Sequence, residues 1–150
     1  MKTIDKYIQE KLVIDKNVSK YIYHPKDKDE LKDLIKRLIE ERGNEADLND
    51  IDTSNITDMS ALFRKSKFNG DISKWNVSKV EYIWSMFSNS EFNGDISKWD
   101  VSNVTDMRYM FKKSKFNGDI SNWHVSNVKY MEHMFKDSPL EKNPPSWYHE

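Results

Sequence analysis

The chain has 150 residues, of which 33% are charged and 37% hydrophobic, and its formal net charge is −1. That length suits one domain, the near-neutral balance offers no basic surface for nucleic acid, and the absence of cysteine excludes disulfides and thiolate chemistry. No stretch approaches the roughly 20 apolar residues of a membrane helix, and the first residues alternate charged with apolar side chains, unlike the continuous apolar run of a signal peptide, so neither a membrane nor export is expected and the cytoplasm is.

From the N-terminus, Ile4, Tyr7, Ile8 and Leu12 follow helical spacing and predict a short amphipathic helix. Tyr21, Ile22 and Tyr23 precede Pro25 and read as extended, a first edge strand. A second helix is better signalled. Asp27 with Glu30 forms a capping box, Leu31, Leu34, Ile35, Leu38 and Ile39 form its apolar stripe, and Gly43 supplies a left-handed C-cap. Residues 1–43 are read as a helical N-terminal cap on the remainder of the chain.

The next part of the chain is periodic. Phe-Asn-Gly-Asp-Ile-Ser-x-Trp begins at Phe68, Phe92 and Phe116, an interval of 24 residues. In register with it, Ile72, Trp75, Val77, Val80, Ile83, Met86 and Phe87 become Ile96, Trp99, Val101, Val104, Met107, Met110 and Phe111, then Ile120, Trp123, Val125, Val128, Met131, Met134 and Phe135. A degenerate earlier unit keeps Leu48, Ile51, Ile56, Met59, Leu62 and Phe63. Such a unit cannot cover both of its own apolar faces, so successive units must stack. The expected units are 44–67, 68–91, 92–115 and 116–139. Residues 140–150 form a C-terminal cap, because Pro144 and Pro145 cannot donate backbone hydrogen bonds to a continuing strand.

Within a unit, Trp75-x-Val77 suggests a short strand, and Val80, Ile83, Met86 and Phe87 switch to helical spacing. Thr105 reads as a helix N-cap, and the Asn-Gly pairs at 69/70, 93/94 and 117/118 read as turns with positive φ. The expected fold is therefore an α/β repeat solenoid, a short leucine-rich-repeat-like array of about four coils, each a short strand plus a short helix. Residues 92–111, Phe-Asn-Gly-Asp-Ile-Ser-Lys-Trp-Asp-Val-Ser-Asn-Val-Thr-Asp-Met-Arg-Tyr-Met-Phe, closely resemble the repeat of the BspA-type leucine-rich-repeat surface-protein family, which includes mycoplasma lipoproteins. That resemblance implies stacked coils and a role in adhesion or protein binding.

The repeated polar residues point to structure. Asp71, Asp95 and Asp119 recur at one position and are expected to accept hydrogen bonds from turn amides, since no Asp-x-Asp loop offers the converging oxygens of a calcium site. Trp75, Trp99 and Trp123 sit among core positions and are expected to be buried. His124 and His133, with Glu132 beside the latter, lack a third partner, and the repeated serines lack a His/Asp escort, so no enzyme, cofactor or metal is expected.

What varies between units is the candidate recognition surface. If Val80, Ile83, Met86 and Phe87 face inward, Trp84 turns outward with Tyr82, and the corresponding stretches contribute Arg108, Tyr109, Tyr130, Glu132 and His133. Aromatic and arginine side chains together have the composition of a binding hot spot. The expectation is a non-enzymatic protein–protein interaction module, a small intracellular regulator or inhibitor of bacterial or phage origin. The alternative is a surface adhesin or envelope structural protein whose export signal is absent from this sequence.

Overall fold

A computed structural model describes residues 20–150, so the helix expected from Ile4, Tyr7, Ile8 and Leu12 lies outside the described residues. Helix α1 spans Lys28–Arg42. Asp27 caps it from an extended backbone, its carboxylate accepting from the Glu30 amide at 3.0 Å, while Glu30 accepts in turn from the Lys26 amide at 2.7 Å. Gly43 ends it at φ 93 and donates to the Ile39 carbonyl, though its ψ of 174 lies outside the left-handed helical well. Leu31, Ile35 and Leu38 are buried and Leu34 and Ile39 partly so. Arg42 fixes the helix end to the first coil, donating to the Asp47 carbonyl at 2.9 Å and to both carboxylate oxygens of Asp50.

The strand-plus-helix coil expected from the sequence is wrong, and with it the leucine-rich-repeat geometry: among the described residues α1 is the one helix, and the repeats contain no strands. Each coil is a chain of turns. Tyr23 and Ile51 likewise form a single parallel bridge in place of the expected edge strand.

The helical spacing misled for a physical reason. The Met86 amide donates to the Ile83 carbonyl, Ser88 to Ser85 and Ser90 to Phe87, each three residues back. A β-turn shares that offset with a helical turn, so apolar residues at i and i+3 face inward in both. A helix is prevented by Ser85 and Asn89, which take φ of 54 and 55, the sign a type II turn needs at its third position. The same two positions in the other coils are Ala61 and Lys65, Tyr109 and Lys113, His133 and Asp137, all at positive φ.

Reversing φ at every fourth residue releases alternate amides to point along the stack. Ile83, Ser85, Phe87 and Asn89 donate to the carbonyls of Asp106, Arg108, Met110 and Lys112 in the next coil at 2.8–3.0 Å. Met59, Ala61, Phe63 and Lys65 do the same one coil earlier, and Met107, Tyr109, Phe111 and Lys113 one coil later. Thr105, expected to cap a helix, instead donates to the Glu81 carbonyl through its amide and its hydroxyl.

The core runs the length of the stack as ladders of identical side chains. Phe63, Phe87, Phe111 and Phe135 stack at 5.6–5.8 Å between centroids, beside Phe68, Phe92 and Phe116 at 6.2–6.3 Å. Trp75, Trp99 and Trp123 are each 4% exposed, and their indole N–H groups donate to the carbonyls of Leu48, Ile72 and Ile96. Trp147 takes the next step of that ladder, donating to the Ile120 carbonyl and stacking on Trp123. The two prolines before it leave this rung intact because the indole supplies the donor.

Gly70, Gly94 and Gly118 do not take the positive φ expected of them; among the described glycines only Gly43 does. They are required for space. A Cβ on Gly94 would come within 2.7 Å of the Phe92 ring, and one on Gly70 would strike the Ala46 carbonyl oxygen as well as the Phe68 ring. No described helix is long and apolar enough to cross a membrane.

Candidate interaction surface

Inward and outward residues alternate at the start of the second unit's ribbon of turns. Ile83 is buried, whereas Tyr82 is 43% and Trp84 37% exposed; in later coils Tyr109 is 37% and Tyr130 49% exposed. These four aromatics lie on the same stretch of three consecutive coils, brought together by the parallel bridges Tyr82 to Asp106 and Asp106 to Tyr130.

Asp106 occupies the step between the two tyrosines and is only 5% exposed. Its carboxylate accepts from the Arg108 amide at 3.0 Å and takes the guanidinium in a fork, Nη2 to Oδ2 at 2.6 Å and Nε to Oδ1 at 3.0 Å. The pairing raises the guanidinium above its already high ordinary pKa. Arg108 thereby lies over the Tyr130 ring, 5.1 Å from its centroid. The middle of the strip is a fixed planar ion pair flanked by phenol rings.

At one side Tyr109 contacts the His133 ring at 5.6 Å, Lys112 Nζ lies 5.5 Å from the Tyr109 centroid, and His133 Nδ1 is 2.8 Å from Glu150 Oε1. At the other, Lys28 at the start of α1 lies 5.6 Å over the Trp84 ring and 3.9 Å from Asp58. Trp84 therefore borders the N-terminal helix while keeping over a third of its surface in solvent. Glu132 is exposed next to His133. The structure thus brings Tyr82, Trp84, Arg108, Tyr109, Tyr130, Glu132 and His133 onto one surface. Sequence reasoning left Asp106, Lys28 and Lys112 out of the recognition set; the Asp-x-Arg spacing could have added the first, whereas Lys28 reaches Trp84 through the fold alone.

The other repeated polar residues stay within the scaffold. Asp71, Asp95 and Asp119 each accept from the amide and hydroxyl of the serine two residues on, at 2.6–3.0 Å. The serine hydroxyl, then its amide, holds each carboxyl below its ordinary pKa. Among the described residues no three His, Cys, Asp or Glu side chains are grouped as metal ligands would be.

A family model described as Mycoplasma protein of unknown function, DUF285, matches residues 32–147. The chain belongs to this family. In this DUF285 chain the match begins inside α1 and ends at Trp147, so it takes in every residue of the strip except Lys28 and Glu150. No curated protein and no solved structure matches the chain. The family description carries no activity, and the coil geometry overturns the leucine-rich-repeat features implied by the BspA-type resemblance.

Proposed function

We propose that the chain is a non-enzymatic binding module that docks a partner protein on the strip formed by Tyr82, Trp84, Arg108, Tyr109 and Tyr130. The observation that carries this reading is the exposure of these aromatics on a body whose phenylalanine ladders and Trp75, Trp99 and Trp123 are buried. Large aromatics and arginine dominate interface energetics, and a strip held by inter-coil hydrogen bonds and the Asp106–Arg108 fork loses little freedom on binding. The near-neutral charge suits a regulator or inhibitor acting inside a bacterial or phage-infected cell. The likeness of residues 92–111 to BspA-type surface repeats favours a second reading, an adhesin or envelope protein that presents the same strip outside the cell.

A photo-crosslinking residue placed at Tyr82 or Tyr130, compared with one at the exposed Lys74 or Lys98, tests the assignment in the native host. Crosslinks to a discrete protein are expected from the first pair alone. Equal yields from both pairs would refute it. Fractionation of the host distinguishes the intracellular reading from the surface one.

A further inference from the structure

The strip is not the one surface that the coils leave ready for contact. In the second and third units Val77, Val80, Ile83, Val101, Val104 and Met107 are at most 2% exposed, each covered by the next coil. The same positions in the fourth unit, Val125, Val128 and Met131, are only partly buried. Residues 140–150 cover the other half of that coil, where Trp147 lies on Trp123 and Tyr148 on Phe135, and these three remain partly exposed.

The backbone beside them is also unmatched. Met107 and Tyr109 donate to Tyr130 and Glu132, but the amides of Met131 and His133 have no hydrogen-bond partner among the described residues. The carbonyls of Ser78 and Ser102 each accept from the side-chain amide of an asparagine one coil on, Asn103 and Asn127, and the Thr105 carbonyl accepts from Lys129 and Tyr130. The corresponding carbonyls of Ser126 and Lys129 accept nothing from the described residues. At the opposite end of the stack α1 occupies the equivalent place, so a second copy cannot offer its first coil there.

We infer that Val125, Val128 and Met131, with the amides of Met131 and His133 and the carbonyls of Ser126 and Lys129, form a docking face for a peptide segment of another polypeptide that has this repeat's own pattern. That pattern is valine, Asn-Val three residues on, and methionine or isoleucine three further, as in Val101-Ser102-Asn103-Val104-Thr105-Asp106-Met107. The occupant is specified by continuity: the chain shows in two successive coil contacts what covers this surface, which apolar side chains it brings and where its hydrogen bonds fall. The mode is edge addition, with backbone bonds supplying register and alternate side chains supplying selectivity. It adjoins the last coil of the aromatic strip at Tyr130 and His133 but does not rest on the function proposed for that strip.

The probe is a labelled synthetic peptide of residues 98–113, titrated into the whole chain by fluorescence anisotropy, with hydrogen exchange read at Met131 and His133. Saturable binding and slowed exchange at these two amides are expected, with a scrambled peptide inert and the Tyr82→Ala/Trp84→Ala variant, two coils away, unaffected. Val128→Lys is expected to weaken binding at least ten-fold; should it fold poorly, Val128→Ser, checked by its melting curve, gives the same comparison. No binding at millimolar peptide, or binding that ignores Val128, overturns the inference. So does a chain that instead dimerises through this face, seen as a sedimentation shift abolished by Val128→Lys without peptide binding.

Discussion

Replacing Lys113 by glycine separates a coil made of turns from a coil made of helix by the sign of its effect. Lys113 is exposed and sits at φ 56, with its amide already donating to the Lys136 carbonyl. A left-handed conformation costs a residue with a Cβ about 1–2 kcal/mol, which glycine avoids. Glycine gives back about 0.5–1 kcal/mol through the larger freedom of its unfolded chain. The net expectation for Lys113→Gly is a gain of about 0.5–1 kcal/mol, or roughly 1–4 °C in Tm for a chain of this size. Lys36→Gly, on the exposed side of α1, is expected to lose about 1 kcal/mol, the cost of glycine in a helix interior. Lys65→Gly, two coils from Lys113 and at φ 59, should repeat the gain and add to it. Urea and thermal unfolding followed by circular dichroism give all three values. Loss of stability in Lys113→Gly comparable to that in Lys36→Gly would refute the reasoning.

Gly70→Ala is expected to lose more than Gly118→Ala, because its Cβ meets a backbone carbonyl as well as a packed ring; about 1–3 kcal/mol is the scale of such overpacking, read from urea midpoints. Trp99→Phe removes the indole donor to the Ile72 carbonyl and should cost about 1–3 kcal/mol for the unpaired acceptor, with Trp84→Phe close to neutral in the same assay. Iodide quenching of the tryptophan emission should fall in Trp84→Phe, since Trp75, Trp99 and Trp123 are shielded and only the partly buried Trp147 remains; unchanged quenching would place the accessible indole elsewhere. The folded pKa values of Asp71, Asp95, Asp100 and Asp119 are depressed, so their contribution to stability is present above the unfolded value of about 3.9 and is lost as pH falls through the folded ones. Ser97→Ala should move the Asp95 midpoint upward in a carboxyl NMR titration.

The stacked register and the buried ladders were legible because identical side chains at a fixed interval have one economical arrangement, each upon its copy. The outward placement of Tyr82, Trp84, Tyr109 and Tyr130 was legible too, since it needs only Ile83 and its equivalents to face inward, and a turn satisfies that as well as a helix. The local backbone was not legible. Nothing in the identities of Ala61, Lys65, Ser85, Tyr109 and Lys113 signals positive φ; only Asn89, His133 and Asp137 are of types enriched there. At Ala61, Ser85 and Tyr109 the conformation is held by the neighbouring coil, whose carbonyls collect the amides that reversal sets free. The glycines misled in the opposite direction: beside asparagine they look like turn formers, yet Phe68, Phe92 and Phe116 need the space that a side chain would fill. The burial of Asp106 was not legible because its neighbours in the stack are Tyr82 and Tyr130, residues 24 positions away on either side.

The amide-to-carbonyl register acts as a ruler on how such chains can lengthen. An insertion of 24 residues slots a new layer between two old ones and extends the strip by one step, with every donor still facing an acceptor. An insertion one residue longer or shorter moves the following side chains off their ladders and sets donors out of line with the acceptors of the next layer. Size in this architecture is therefore quantised, and a binding strip can grow only by whole layers.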